Sequence, residues 1–264
     1  MTADAGWLIF NQSRSRARLR LYCLPHAGGG AAVYAAWANL LPPDVELCRV
    51  QLPGRENRLR EAPFAAMTPL VEVLAKVLRP HLDLPFALFG HSMGALIAFE
   101  LARQLRRDCG VTPVQLFVSG RWAPHWPSPD PALVQLPDAE FITALRARYN
   151  NIPDMVANDP ELLAIYVPLL RADVTLLDTY VYTPDRALDC PIVALGGVDD
   201  ARVPRASLEA WQEHSTQSVE VQQFPGGHFY LQSGCPVLLK VLARKLTSPP
   251  RQVGEWAKTG IIRC

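Results

Sequence analysis

A serine, a carboxylate and a histidine, the three groups that together transfer acyl chains, each follow an apolar run in this 264-residue chain. Ser92 stands in Gly90-His91-Ser92-Met93-Gly94, preceded by Phe86-Ala87-Leu88-Phe89 and followed by Ala95-Leu96-Ile97-Ala98-Phe99-Glu100. That is a strand, a tight turn and a helix in one short stretch, the setting in which a serine hydroxyl is held above a sheet edge. Gly90 and Gly94 leave room where strand and helix crowd the turn, and the Met93 amide falls in the first turn of the helix, free to stabilise an oxyanion. Asp199 and Asp200 follow the apolar run Cys190–Gly197, where an acid that orients a histidine belongs. His228 follows Val219–Phe224 and the turn Pro225-Gly226-Gly227, and is read as the general base. The spacing alone leaves Asp199 and Asp200 as competing acids.

These residues need a sheet to bring them together, and the pattern around them supplies one. Strand-like runs at Arg18–Leu24, Val45–Val50, Phe86–Phe89, Val114–Ser119, Cys190–Gly197 and Val219–Phe224 alternate with helical patterns at Val33–Leu41, Leu70–Leu78, Met93–Arg107 and Ala206–Glu213. Such alternation predicts an α/β fold with a mostly parallel, doubly wound sheet. The order Ser92, aspartate, His228 is that of the α/β-hydrolases rather than of the chymotrypsin-like or subtilisin-like proteases. After the first of these strands, Pro25-His26-Ala27-Gly28-Gly29-Gly30 can turn a second amide, that of Ala27, toward Ser92; His26 is read as structural. No lysine-serine or lysine-threonine pair follows the glycines, which argues against a phosphate loop.

Between Arg121 and Arg186 the strand rhythm stops, and two helices are predicted, at Asp138–Arg148 and Asp159–Asp178. The insertion reads as a helical lid, with Phe141, Leu145, Tyr166 and Leu169 among the apolar residues that could line an acyl chamber. The expected organisation is a single domain over 1–248, with its core at 18–120 and 187–248 and its lid at about 121–186, then a poorly ordered tail at 249–264. A net charge of +1 speaks against nucleic-acid and membrane-surface binding. Arg14, Arg16, Arg18 and Arg20 recur at period two and read as a solvated face. The six cysteines are scattered singly, without zinc spacing, so no metal is expected, and Met1–Phe10 lacks the pattern of a secretory leader. The cytoplasm is the expected compartment.

Several stretches together resemble the type II thioesterases, the stand-alone editing hydrolases of polyketide synthases and nonribosomal peptide synthetases. They are Leu24-Pro25-His26-Ala27-Gly28-Gly29, Leu52-Pro53-Gly54-Arg55-Glu56, Phe89–Ala95, Leu136-Pro137-Asp138, Leu170-Arg171-Ala172-Asp173 and Gly226-Gly227-His228-Phe229-Tyr230, and the resemblance spans Leu19 to Leu246. It implies Asp200 as the acid, although Ala201 stands where the family commonly has proline. It also implies a substrate thioester on the phosphopantetheine arm of an acyl or peptidyl carrier protein, with no metal or dissociable cofactor and a monomeric enzyme. Carrier proteins are usually acidic, and Arg55, Arg58 and Arg60 read either as solvated loop charge or as a basic patch that such a partner could meet. Two alternatives are a chain-terminating medium-chain fatty acyl thioesterase and a non-catalytic carrier-binding protein.

Overall fold

The computed structural model describes residues 6–10, 17–129, 131–149, 152, 158–233 and 235–247. Arg14, Arg16 and the 249–264 tail lie outside them. Seven strands form one sheet: β1 (Leu8–Phe10), β2 (Leu19–Leu24), β3 (Val45–Val50), β4 (Phe86–His91), β5 (Gln115–Ser119), β6 (Ile192–Gly197) and β7 (Val219–Phe224). Their order is β1-β3-β2-β4-β5-β6-β7, parallel throughout except for β1 against β3. The chain therefore runs outward from β2 to β3 and then crosses to β4 on the other side of β2. Ligands bind such a sheet in the crevice beyond the carboxyl ends of the strands, at this switch.

β4 shows how the sheet is sealed. Phe86 and Leu88 face one core layer with α1 (Met67–Leu78) and α2 (Met93–Cys109), while Ala87 and Phe89 face another with Tyr34, Trp37 and the last helix. Both faces are buried, which is why the strand reads as a continuous apolar run. α2 ends at Gly110, whose φ of +66° closes the helix in the left-handed conformation.

Three expectations need correction. The first ordered element is β1, ahead of the expected core boundary at 18; its three residues are too few to display an alternating pattern. The segment expected as a helix over Val33–Leu41 is a 3₁₀ helix over Ala31–Asn39, because its buried residues Ala31, Tyr34 and Trp37 recur every third position. Arg18 and Arg20 do not form a solvated face: Arg18 pairs with Asp44, and the buried Arg20 pairs with Glu46 at 2.6 Å and Asp83 at 2.7 Å.

The insertion holds α3 (Asp138–Tyr149) and α4 (Pro160–Asp178). The start of α4 follows from its sequence: Asp159 caps it by accepting the Glu161 and Leu162 amides at 2.9 and 3.2 Å, with Pro160 in the first turn. Phe141, Ile142, Leu145, Val167, Leu170 and Val174 form a cluster of their own between the two helices. After β6 come α5 (Arg205–Glu209) and a 3₁₀ turn over Ala210–His214, and after β7 come α6 (Tyr230–Ser233) and α7 (Cys235–Thr247). No described helix is long and apolar enough to cross a membrane. Cys23, Cys48 and Cys190 are buried free thiols, as their scattered positions suggested.

Both ends of the insertion meet the core at one histidine. His214, 4% exposed, lies against Trp211 and Phe99, is hydrogen-bonded to His125 (2.7 Å), and packs edge-on to Tyr182. Burial pushes its pKa down from 6.5 to about 4, with the neighbouring His125 adding to the shift. The unfolded chain therefore takes up the proton first, and stability present above 6.5 is lost as the pH falls toward 4. The melting temperature is expected to drop across that interval, and to drop less in His214→Gln; equal slopes for the two proteins would refute the assignment.

Candidate active site

The turn after β4 is strained as a nucleophile elbow must be. Ser92 has φ 54° and ψ −113°, outside the regions a serine ordinarily occupies. A Cβ on Gly90 would fall 1.9 Å from the Gly94 carbonyl oxygen, and one on Gly94 would fall 2.2 Å from that of Leu24. The two glycines thus let the start of α2 sit directly on the ends of β4 and β2. The Ser92 amide donates to the Ser119 carbonyl at the end of β5 (2.7 Å), which ties the elbow to the neighbouring strand.

The three chemical groups converge here. His228 Nε2 is 3.0 Å from Ser92 Oγ, and His228 Nδ1 is 2.7 Å from Asp200 Oδ2. The His228 and Asp200 side chains are 7% and 2% exposed, so little water competes for these bonds. The two aspartates do different things. Asp199 is exposed and accepts the Gly226 amide at 3.2 Å, bracing the turn that carries His228, whereas Asp200 is buried and reaches the imidazole. The end of β6 and that turn touch so closely that a Cβ on Gly197 would lie 2.3 Å from the Gly226 and Gly227 carbonyl oxygens.

Behind the serine runs a second chain of bonds that the sequence did not disclose. His91 Nδ1 is 2.8 Å from Ser119 Oγ, and Ser119 Oγ is 2.6 Å from the Tyr230 hydroxyl. Burial holds His91 well below the ordinary histidine range, so it is neutral. His91 and Tyr230 flank Ser92 and His228 in the chain, but no spacing links either of them to Ser119.

The loop after β2 is held from the insertion. Gly28 takes φ +74°, its amide donates to Asp173 Oδ2 on α4 (2.7 Å), and its carbonyl accepts the Tyr166 hydroxyl (2.9 Å). Arg55 grips the same carboxylate with both terminal nitrogens, at 2.8 and 3.0 Å, and also donates to the Gly29 carbonyl (3.0 Å). His26 Nδ1 bonds the Ala27 carbonyl (2.9 Å), and its ring packs on His91 and Phe229, a structural role as expected. The Ala27 amide lies in this braced loop, beside the elbow that carries the Met93 amide.

The basic patch is not where the sequence suggested. Arg55 is 4% exposed and paired with Asp173, and Arg58 is 6% exposed, stacked on Trp7 at 4.0 Å and paired with Glu61. Of the three, only Arg60 is exposed. A cleft of about 300 Å³ opens between this loop and α4, lined by His26, Gly28, Arg55, Ile165, Tyr166 and Leu169. Tyr166 and Leu169 therefore line a cavity, whereas Phe141 and Leu145 are buried inside the cluster between α3 and α4.

The thioesterase domain family matches residues 19–246, the span that contains strands β2 to β7, the elbow and all three converging groups. The chain belongs to the thioesterase family. Its relatives include the gramicidin S biosynthesis protein GrsT of Aneurinibacillus migulanus, 42% identical over 91% of this chain and 93% of that one. Among solved structures, the thioesterase RedJ of the prodiginine pathway in Streptomyces coelicolor superposes with a TM-score of 0.82 at 38% identity, covering 88% and 92% of the two chains. BorB, a type II thioesterase from the borrelidin cluster, gives the same TM-score and identity over 91% and 97%. The fold of this thioesterase is thus the α/β-hydrolase fold anticipated from the order of Ser92, Asp200 and His228.

Proposed function

We propose that this thioesterase hydrolyses acyl groups from the phosphopantetheine arms of acyl or peptidyl carrier proteins, clearing aberrant or stalled chains in polyketide or nonribosomal peptide synthesis. The observation that carries the chemistry is the unbroken line from Asp200 through His228 to Ser92 Oγ, at 2.7 and 3.0 Å. Its relatives and structural neighbours in such pathways support the biological assignment.

In the proposed reaction His228 Nε2 takes the proton of Ser92 as Oγ attacks the thioester carbonyl carbon. Asp200 holds Nδ1–H and balances the imidazolium, while the Ala27 and Met93 amides receive the developing oxyanion. Collapse breaks the carbon–sulfur bond, and His228 delivers its proton to the departing thiol. Water, deprotonated by His228, then cleaves the acyl-enzyme and returns the proton to Ser92. No metal or dissociable cofactor enters these steps, and the arm arrives on the substrate.

Hydrolysis of acetyl-, propionyl-, hexanoyl- and decanoyl-carrier protein tests the reading. A flat, slow profile is expected of an editing enzyme. A steep preference for decanoyl would instead support a chain-terminating role. Failure to hydrolyse any of them, with no adduct formed by a serine-directed fluorophosphonate, would leave a non-catalytic carrier-binding protein.

A further inference from the structure

The catalytic line leaves one buried cation unexplained. Arg121 follows Gly120 at the carboxyl end of β5 and is 9% exposed. Its Nε is buried without a hydrogen-bond partner, and among the described residues no carboxylate hydrogen-bonds to its guanidinium. That group lies on the buried indole of Trp122, 4.0 Å from the ring. The charged and ionisable groups acting on it are Tyr149, Tyr180, Arg202 and Asp178. Asp178 contributes its charge without a hydrogen bond to the guanidinium, its Oδ2 accepting the Leu133 and Val134 amides at 2.6 and 3.1 Å. Arg202 adds like charge, standing over the Tyr149 ring at 4.8 Å. Burial pushes the Arg121 pKa down only to about 10, so the group is charged at neutral pH. A buried guanidinium whose Nε lacks a hydrogen-bond partner is unfavourable, and such a group persists where a ligand completes it.

Its place relates it to the reaction. Ser119, whose carbonyl holds the Ser92 amide, is two residues before Arg121, so their Cα atoms are within about 7 Å of each other. A Cβ on the intervening Gly120 would come 3.4 Å from His228 Cε1, and the Tyr149 ring is 4.9 Å from that of His228. With Nε sealed off, the edge of the guanidinium that a ligand can meet is the fork of Nη1 and Nη2, which matches the two oxygens of a carboxylate.

We propose that Arg121 is a specificity-determining residue that binds an oxygen acceptor on the acyl group, a carboxylate above all, a few bonds beyond the carbonyl that Ser92 attacks. The inference rests on the reading of Ser92 as nucleophile. The acyl group is favoured over the pantetheine arm because Arg121 is nine-tenths buried, stacked on the buried Trp122 and within electrostatic reach of Tyr149 and Tyr180 of the insertion.

The test compares two chains of equal length, succinyl- and butyryl-carrier protein, in the parent enzyme, Arg121→Met and Arg121→Lys. The ratio of succinyl to butyryl kcat/KM is expected to fall about 10- to 100-fold in Arg121→Met, the value of one charge-assisted contact, with butyryl turnover changed little. Arg121→Lys should retain part of the ratio. Because the methionine removes a buried guanidinium whose Nε has no partner, the melting temperature of Arg121→Met should equal or exceed that of the parent. Equal losses on both substrates would overturn the proposal, pointing to a contact with the shared arm or to a structural role, as would an unchanged ratio. Thermal shift by free succinate and butyrate gives a readout independent of turnover. A shift by succinate that vanishes in Arg121→Met supports the site even if neither thioester is hydrolysed, a result that would sink only the nucleophile reading; no such shift in the parent counts against the site.

Discussion

Ser92→Ala should lower kcat/KM on any acyl-carrier-protein substrate by at least about four orders of magnitude, with the fold unchanged. The substitution deletes one oxygen whose side-chain partner among the described residues is His228 Nε2, and alanine suffers no more than serine at a φ of 54°. What remains is whatever rate the Ala27 and Met93 amides support without a nucleophile, roughly a thousandfold over water in triad hydrolases. His228→Ala should cost a similar amount, and the double variant little more, because nucleophile and base act as one unit. Steady-state rates beside a fluorophosphonate labelling assay decide the matter. A Ser92→Ala enzyme within tenfold of the parent would exclude Ser92 as the nucleophile.

Asp173→Ala is expected to destabilise the protein by about 3–5 kcal/mol, because it leaves a charged group buried without its partner. Arg55, 4% exposed, would keep only the Pro53 and Gly29 carbonyls, and the Gly28 amide would lose its acceptor. Gly28 adjoins Ala27, so the loop carrying one proposed oxyanion donor would loosen as well. Losing one such donor costs roughly 10²–10³ in kcat, so a loosened one should cost about tenfold or more. Replacing both partners together, as Arg55→Met with Asp173→Leu, should destabilise less than Asp173→Ala alone, since no charge is then stranded. Urea denaturation measures the first effect and kcat the second. A loss below about 1 kcal/mol for Asp173→Ala would mean that the ion pair does not hold the loop.

The elbow and the order of the three groups were legible because each is local. A strand, a glycine turn and a helix within fifteen residues leave a pattern that survives without knowledge of the rest of the chain, and the turns before Asp200 and His228 do the same. Helix α4 was legible for the same reason, its cap and first-turn proline being adjacent to the pattern they begin. The 3₁₀ segment at Ala31–Asn39 was misread because a three-residue and a 3.6-residue period are hard to separate over nine residues.

The basic loop failed for a different reason. Arg55 looked exposed in the sequence because its partner, Asp173, is 118 residues away. The Ser119, His91 and Tyr230 network and the burial of Arg121 were equally hidden, since their meaning depends on which strands lie side by side. By itself, then, the sequence determined the nucleophile's turn, the alternation that builds a parallel sheet, and the order of the catalytic groups, all set by backbone sterics and by short-range hydrophobic period. The tertiary structure set Asp200, which the family resemblance implies, against His228, and it alone decided that α4 braces the Ala27 loop through a buried ion pair and that Arg121 stands beside the reacting groups with its Nε unpartnered. Those outcomes turn on burial and charge pairing between distant segments, which arise only once the strands have taken their places in the sheet.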